Sequence, residues 1–266
     1  MKSRRKKKHR PVTETKIRTA STTSNKVISK LHVLNKEIEK SRNAGESRQK
    51  ILVLKRQVEE LGGLNAYQSA SKRGEARHGN LNSAKWVLRK LDECNVRREE
   101  GCKLTLLDVG ALDDNYTKQR KWIECTAIDL NPQSSRVLKA DFFTFQAGES
   151  VQYDIVVLSL VLNFLGSPSK RGDMLKRCCQ LCKPLGHLCV VLPRACLENA
   201  RYLNQELFVN ILGSLGFELV ASHSSRKLSF FMFQLGSAAA GPEKAWPKTM
   251  VRNGTKCNNF SIVLDI

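Results

Sequence analysis

No run in this sequence is apolar for long enough to cross a bilayer. The longest, near Ile155 to Leu165, is interrupted by Ser159 and Asn163 and falls short of the ~20 residues a spanning helix needs, so no membrane partner is expected. The basic start, KSRRKKKHR, leads into no apolar segment and is therefore no secretory signal. Nine cysteines are present, but no zinc-finger or zinc-ribbon arrangement is: Cys178, Cys179, Cys182 and His187 cluster with no second pair at a matching spacing. No metal is expected, and the thiols read as reduced and mostly buried. Negative charge is scarce where the chain begins. Residues 1 to 50 hold sixteen Lys and Arg against four Asp and Glu, an excess that makes up most of the net +20.

A polyanion is the natural partner for such a segment, because clustered Lys and Arg gain affinity by releasing phosphate counterions. Residues 1 to 24 carry almost no large apolar side chains and cannot offset the entropy of ordering, so they read as a disordered basic tail. The run Arg4, Arg5, Lys6, Lys7, Lys8 and Arg10 fits a nuclear or nucleolar address or an RNA-binding arm. From residue 25 to 61 the apolar spacing becomes helical. Val27, Ile28, Leu31, Leu34 and Ile38 form one stripe and Ile51, Leu54, Val58 and Leu61 another, which predicts a helical hairpin ended by Gly62-Gly63. Residues 62 to 80 are a polar, glycine-rich connector that can fold over a ligand cleft through Tyr67 or Gln68. Leu81 to Leu91 is predicted to be a helix with Trp86 in the core.

The rest of the chain is organised around LTLLDVGALDDNYTKQRKWIECTAIDL, residues 104 to 130. An apolar run ends in Asp108-Val109-Gly110, and a turn and short helix lead to a second run ending in Asp129. That pattern is a strand, a crossover and a parallel strand. In open α/β sheets ligands lie beyond the carboxyl ends of the strands, where a glycine admits backbone close to the ligand and an acid accepts from a ribose hydroxyl. The three-glycine phosphate cradle of dinucleotide sites is missing, since Ala111 and Leu112 follow the single Gly110. A nucleoside without a pyrophosphate fits better, and S-adenosyl-L-methionine is such a ligand, with Asp108, Gly110 and Asp129 as the residues to hold it.

Asp141, in LKADFFTFQ past a third strand, stands where an acid accepts from the adenine amino group. YDIVVLSLVLNFL has the continuous apolar core of a central parallel strand. Asn163 and Phe164 at its end are an amide for a base edge and a ring for stacking. Asp173 to Lys183 reads as a helix, KPLGHLCVVLP as a Pro/Gly turn and a fifth strand, and Asn199, Arg201 and Tyr202 as cleft residues beyond it. A helix over 203 to 215 and one or two strands over 217 to 235 follow. Residues 236 to 257 read as a linker or insertion, and NNFSIVLDI as a last strand.

About seven strands, with helices between the first five and a strand pair at the end, resemble the class I S-adenosylmethionine-dependent methyltransferase fold: an α/β, Rossmann-like seven-stranded sheet with helices on both faces. More narrowly, LGGLNAYQSAS, LLDVGAL, IDLN, ADFF, LSLVLNF, LPRACLENARY and RNGTKCNNFSIVL resemble, in this order, the fungal 25S ribosomal RNA adenine-N1 methyltransferase family. The likeness runs from about residue 62 to 266, which makes residues 81 to 266 the methyltransferase domain. It implies that Gly110 lies against the methionine end of the cofactor, that Asp129 holds the ribose and that Asp141 is near the adenine. It also implies that Asn163, Phe164, Asn199, Arg201 and Tyr202 serve the acceptor base. Residues 75 to 80 and 236 to 250 depart from the family pattern. The absence of NPPY or DPPY after the fourth strand speaks against methylation of an exocyclic amine. The implied activity is methylation of adenine N1 in 25S rRNA, free or in a preribosomal particle, by a nucleolar monomer. A non-catalytic S-adenosylmethionine sensor that binds protein partners is the alternative, and methylation of a protein a third reading. The basic tail favours RNA.

Overall fold

The computed structural model describes residues 16–66, 68–69, 83–96, 101–146, 148, 151–237 and 244–265. The basic run at 4 to 10 and Tyr67 lie outside them. Two helices open the chain, α1 (Lys16–Asn43) and α2 (Arg48–Glu60), and α2 packs along α1. Gly45, at φ +63°, makes the turn, and Ser47 caps α2 by accepting from the Lys50 N–H. Leu31, Leu34 and Ile38 are the buried stripe of α1. The helix begins nine residues before the boundary expected at Asn25. KIRTASTTS contains neither Pro nor Gly, so nothing in it stops a helix that apolar spacing fails to announce.

The sheet has seven strands in the order β3-β2-β1-β4-β5-β7-β6. They are β1 (Leu104–Val109), β2 (Ile123–Asp129), β3 (Leu138–Lys139), β4 (Tyr153–Ser159), β5 (Cys182–Pro193), β6 (Phe217–Ser224) and β7 (Leu228–Leu235). The first five are parallel, and β7 runs antiparallel between β5 and β6. Period-two alternation divides the core between two faces. Leu106, Ile155, Val157, Phe230 and Met232 face α3 (Ser83–Glu93), where Trp86 meets Phe230 with ring centroids 5.4 Å apart. Leu107, Val156, Leu158, Val190, Phe231 and Phe233 face α4 (Pro168–Leu181) and α6 (Gln205–Gly213). A short α5 (Ala195–Glu198) follows β5. Chain order reverses between β1 and β4, so their carboxyl ends open the cleft.

Three expectations need correction. Helix α4 starts at Pro168, five residues early, because Ser167 caps it and Pro168 suits a first helical turn. The turn expected at Lys183 to Gly186 is a bulge inside β5: Cys182 pairs with Tyr153 and His187 with Ile155, and Leu185 takes φ +61°. Gly186 lets that bulge lie flat, since a Cβ there would be 2.8 Å from the Lys183 carbonyl oxygen and 3.0 Å from that of Asp154. NNFSIVLDI adds no strand to the sheet. Residues 244–265 form a strap over α4 and α5, with single bridges joining Ala200 to Asn258 and Trp246 to Leu264. Phe260, Ile262 and Leu264 are buried in alternation, which is why the segment reads as a strand. The described part of the expected linker, from residue 244, belongs to the strap: the Trp246 Nε1 donates to Ser214 Oγ at 2.8 Å, and Val251 and Arg252 N–H groups donate to the Arg201 carbonyl.

Among the described residues no helix is long and apolar enough to cross a membrane. Cys178, Cys179, Cys182, Cys189 and Cys196 are buried, while Cys94 and Cys102 are exposed.

Candidate active site

A cavity lies beyond the carboxyl ends of β1, β2 and β4, and Asp108, Gly110, Asp129 and Asp141 all line it. Gly110 turns the chain out of β1 at φ +72°, a left-handed conformation that side chains disfavour. Its N–H and that of Ala111 donate to the Ile128 carbonyl, at 2.8 and 3.1 Å, locking the turn to β2. A Cβ at residue 110 would sit 2.5 Å from Val161 Cγ2, so the turn has room for glycine alone. Asp108 is buried just before it. The negative charge of Asp108 adds to burial in pushing the Tyr116 hydroxyl and the Cys125 thiol upward, so both stay protonated at neutral pH.

Asp129 ends β2 with two hydrogen bonds on one carboxylate oxygen. Asn131 N–H donates to Oδ1 at 2.7 Å and Gln68 Nε2 at 2.8 Å. Gln68 also donates to the Asn131 carbonyl, and the Asn131 amide donates to Gln68 Oε1 and Asn65 Oδ1. A clasp from the connector thus closes over the acid, and Gln68 is 2% exposed. Burial raises the Asp129 pKa above the ordinary carboxylate range, and the donations from Asn131 and Gln68 offset part of that rise. These bonds use Oδ1, and an ionised carboxylate can accept further through Oδ2.

Asp141 sits in a tight turn after β3. Its Oδ1 accepts from Phe143 N–H at 2.9 Å and its carbonyl from Thr144 and Phe145 N–H groups. Arg177 of α4 pins the same turn through the Phe142 and Phe145 carbonyls. Phe142, Phe143 and Leu130, the last 54% exposed, form an apolar wall suited to a base. Each element required by a nucleoside is therefore present: a diol acceptor, an apolar slot with an acid beside it, and a bare backbone turn.

Beyond β4 the chain forms a 3-10 turn, Leu162–Phe164. Phe164 lines the cavity and is met edge-on by the His32 ring of α1, centroids 5.5 Å apart. Neighbouring Asn163 does not line it, but its Oδ1 is closed to solvent and meets no donor among the described residues. Asn199, Arg201 and Tyr202 are elsewhere. Asn199 donates to the Lys256 carbonyl at 3.0 Å, Arg201 to the Gly254 carbonyl at 2.9 Å and to Asn259, and Lys248 Nζ stands 4.1 Å over the Tyr202 ring. They hold the strap, so of the five acceptor candidates the structure brings Phe164 to the cavity wall with Asn163 beside it.

Sequence reasoning passes over Asn131, Leu130, Leu160 and Val161. Leu160 and Val161 lie inside an apolar run and read as core, yet they line the cavity, and Leu160 has φ +59°. Left-handed strain of this kind clusters at functional sites, although Leu185 carries it in the β5 bulge. Their position just past a central strand is the signal that could have found them.

A family model described as "Bmt2: 25S rRNA (adenine(2142)-N(1))-methyltransferase" matches residues 53–262. The Saccharomyces cerevisiae protein named 25S rRNA (adenine(2142)-N(1))-methyltransferase is 31% identical over 216 residues, 78% of this chain and 62% of that protein's length. A Schizosaccharomyces pombe protein named 25S rRNA adenine-N(1) methyltransferase is 29% identical over 254 residues, 90% of each chain. Among solved structures, a Burkholderia thailandensis 1,6-didemethyltoxoflavin-N1-methyltransferase with bound S-adenosylhomocysteine aligns at TM-score 0.50 and 15% identity, over 65% of this chain and 86% of that one. That likeness concerns the fold.

Proposed function

This chain belongs to the Bmt2 family of 25S rRNA (adenine-N1) methyltransferases, and we propose that it transfers a methyl group from S-adenosyl-L-methionine to N1 of an adenine in large-subunit ribosomal RNA. The observation that carries the reading is the pairing of Gly110 with Asp129 across one cleft, inside the span the family matches.

The cofactor supplies a methyl on a sulfonium centre. What remains for the protein is orientation. Adenine N1 has an in-plane lone pair at neutral pH, so no general base is needed. The site must take an unpaired adenine, align N1 with the methyl and exclude water. Phe164 offers the stacking face, and Asn163 Oδ1, which meets no donor among the described residues, is the acceptor beside it for the exocyclic amino group. Asp129 holds the ribose, Gly110 admits the methionine end and Asp141 stands by the adenine of the cofactor. Asn199, Arg201 and Tyr202 act on the acceptor side through the strap they anchor.

The basic run at residues 4 to 10 supports work in the nucleolus on 25S rRNA or a preribosomal particle, and we take the active form to be a monomer. The test uses labelled S-adenosylmethionine and large-subunit RNA lacking the mark, followed by digestion and chromatography of the nucleosides. Label in 1-methyladenosine is expected. Intact cofactor binding with no transfer to RNA or to preribosomes would sink the enzymatic reading and favour a sensor.

Asp129 supplies a pH test. Its carboxylate binds the diol when ionised, and its raised pKa places the loss of that form above the ordinary Asp range. Cofactor affinity should therefore fall as pH drops through that raised value. Linkage runs the other way for the unliganded fold, which holds this proton more tightly than the unfolded chain and so gains stability from the group on acidification. Asp129→Asn should weaken binding at neutral pH by about 1.5–3 kcal/mol, the range for a hydrogen bond to a charged group, and flatten the acid limb seen by calorimetry.

A further inference from the structure

Phe164 is a wall of two cavities. One is the cofactor cleft. The other, of about 480 Å³, is a groove between the α1–α2 hairpin and residues 164 to 166, within the size range of ligand sites, about 300–1,000 Å³. Asn35, Arg42, Lys55 and Val58 come to it from the hairpin, and Gly166 from the loop after the 3-10 turn. The hairpin is seated on that loop closely: a Cβ at Gly166 would lie 2.9 Å from Glu39 Cγ and 3.2 Å from the Asn35 carbonyl oxygen. Within the groove Glu39 is bridged by Arg42 at 3.0 Å and Lys170 at 3.6 Å. Glu59 is the other acid there.

We propose that this groove binds the single-stranded RNA next to the acceptor adenine, with Arg42 and Lys55 on its phosphates and Phe164 as the partition between the strand and the methyl donor. The proposal rests on the methyltransferase reading and adds to it where the substrate enters. Three further observations favour RNA as the occupant. From residue 27 on, where side chains are described, the two helices carry eight Lys and Arg against four Glu, so the hairpin surface is basic. Single-stranded RNA is bound by a positive groove combined with rings on which bases stack, and Phe164, backed edge-on by His32, is the ring that lines this groove. Burial, with Lys36 and Arg171 nearby, lowers the His32 pKa, so at neutral pH the imidazole that packs on Phe164 is uncharged. The groups facing His32 in this way are Lys36 of its own helix and Arg171 of α4.

The test uses the full chain and an unmarked oligoribonucleotide of large-subunit sequence containing the acceptor adenine. Arg42→Glu with Lys55→Glu is compared with Lys118→Glu and Lys121→Glu, an equal charge change at exposed positions outside both cavities. RNA affinity, its salt dependence, kcat/KM for methyl transfer and cofactor Kd are measured for each. The groove variant should bind RNA at least about tenfold more weakly, and its plot of log K against log salt should be shallower by about 1.4, two phosphates at ~0.7 each. Its cofactor Kd should stay within about twofold. Lys55→Gln, a milder change at an exposed site, should show about half the loss in slope, which guards against a hairpin damaged by charge reversal. Equal behaviour of groove and control variants, with the wild type active, overturns the groove and leaves the enzymatic reading standing. A wild type that binds cofactor but methylates no RNA overturns both.

Discussion

Gly110→Ala should raise the cofactor Kd by at least about 100-fold, equivalent to about 2.7 kcal/mol. Two separate costs combine. The left-handed backbone at φ +72° penalises any Cβ by roughly 1–2 kcal/mol. In addition the new methyl would sit 2.5 Å from Val161 Cγ2, which forces apart the exits of β1 and β4 that form the cleft. The two costs are separable by experiment. Gly101, at φ +91° with nothing among the described residues within 4 Å of its Cβ position, should on mutation to alanine lose a comparable amount of stability while leaving cofactor affinity unchanged. In the double variant Gly110→Ala with Val161→Ala the contact is relieved and the strain remains, so part of the affinity should return. Calorimetric titration of the four proteins gives the answer. A Gly110→Ala protein that binds within threefold of wild type would show that the ligand does not need the close approach this turn permits.

The part of the site legible in the sequence is the part set by local order. Gly110 and Asp129 end adjacent parallel strands, so an apolar run, a turn and a second apolar run suffice to bring them together. The clasp on Asp129 is different. Gln68 is suggested by its place in the connector, but Asn131, 63 residues away, gives no sign that its amide will pair with it. Side-chain amides pair by tertiary placement, and no spacing rule encodes that. Asn199 and Arg201 are placed differently from what local order suggests. Polar residues past a central strand read as cleft groups, yet their partners are Lys256, Gly254 and Asn259, 53 to 58 residues on, in a segment that itself reads as linker and strand. Phe260, Ile262 and Leu264 alternate as a strand would. An extended strap with one face on a helix has the same period, and only its hydrogen-bond partners tell the two apart.

Among the groups that hold that strap, the Arg171 guanidinium is the buried one, and removing it should cost the fold about 3–5 kcal/mol. Arg171 of α4 is 1% exposed. Its Nη1 donates to the Ser261 carbonyl at 2.6 Å, its Nη2 to the Leu165 carbonyl at 2.5 Å and more weakly to that of Gly166, and the Phe260 ring lies 4.3 Å from its Cζ. Burial lowers its pKa to about 10, so the guanidinium is still charged at neutral pH. Arg171→Ala leaves the buried carbonyls at both ends without donors, at about 1–3 kcal/mol each, and opens a cavity. The melting temperature should fall by about 6–20 °C, at ~2–4 °C per kcal/mol for a chain of this size. Arg171→Lys keeps the charge but not the planar fork, and should lie between. Leu165 and Gly166 directly follow Phe164, so methyl transfer should suffer more than cofactor binding. Gly172→Ala, one residue on, isolates the strap. Its Cβ would lie 1.9 Å from the Val263 carbonyl oxygen, which is backbone and cannot turn aside, while the loop carbonyls keep their guanidinium. If Gly172→Ala loses stability but transfers methyl at temperatures where it stays folded, Arg171 serves the reaction by positioning the 164–166 loop. If both variants lose transfer equally under those conditions, it is the strap that the acceptor site requires. An Arg171→Ala protein that melts within 2 °C of wild type would remove the guanidinium as the pin altogether.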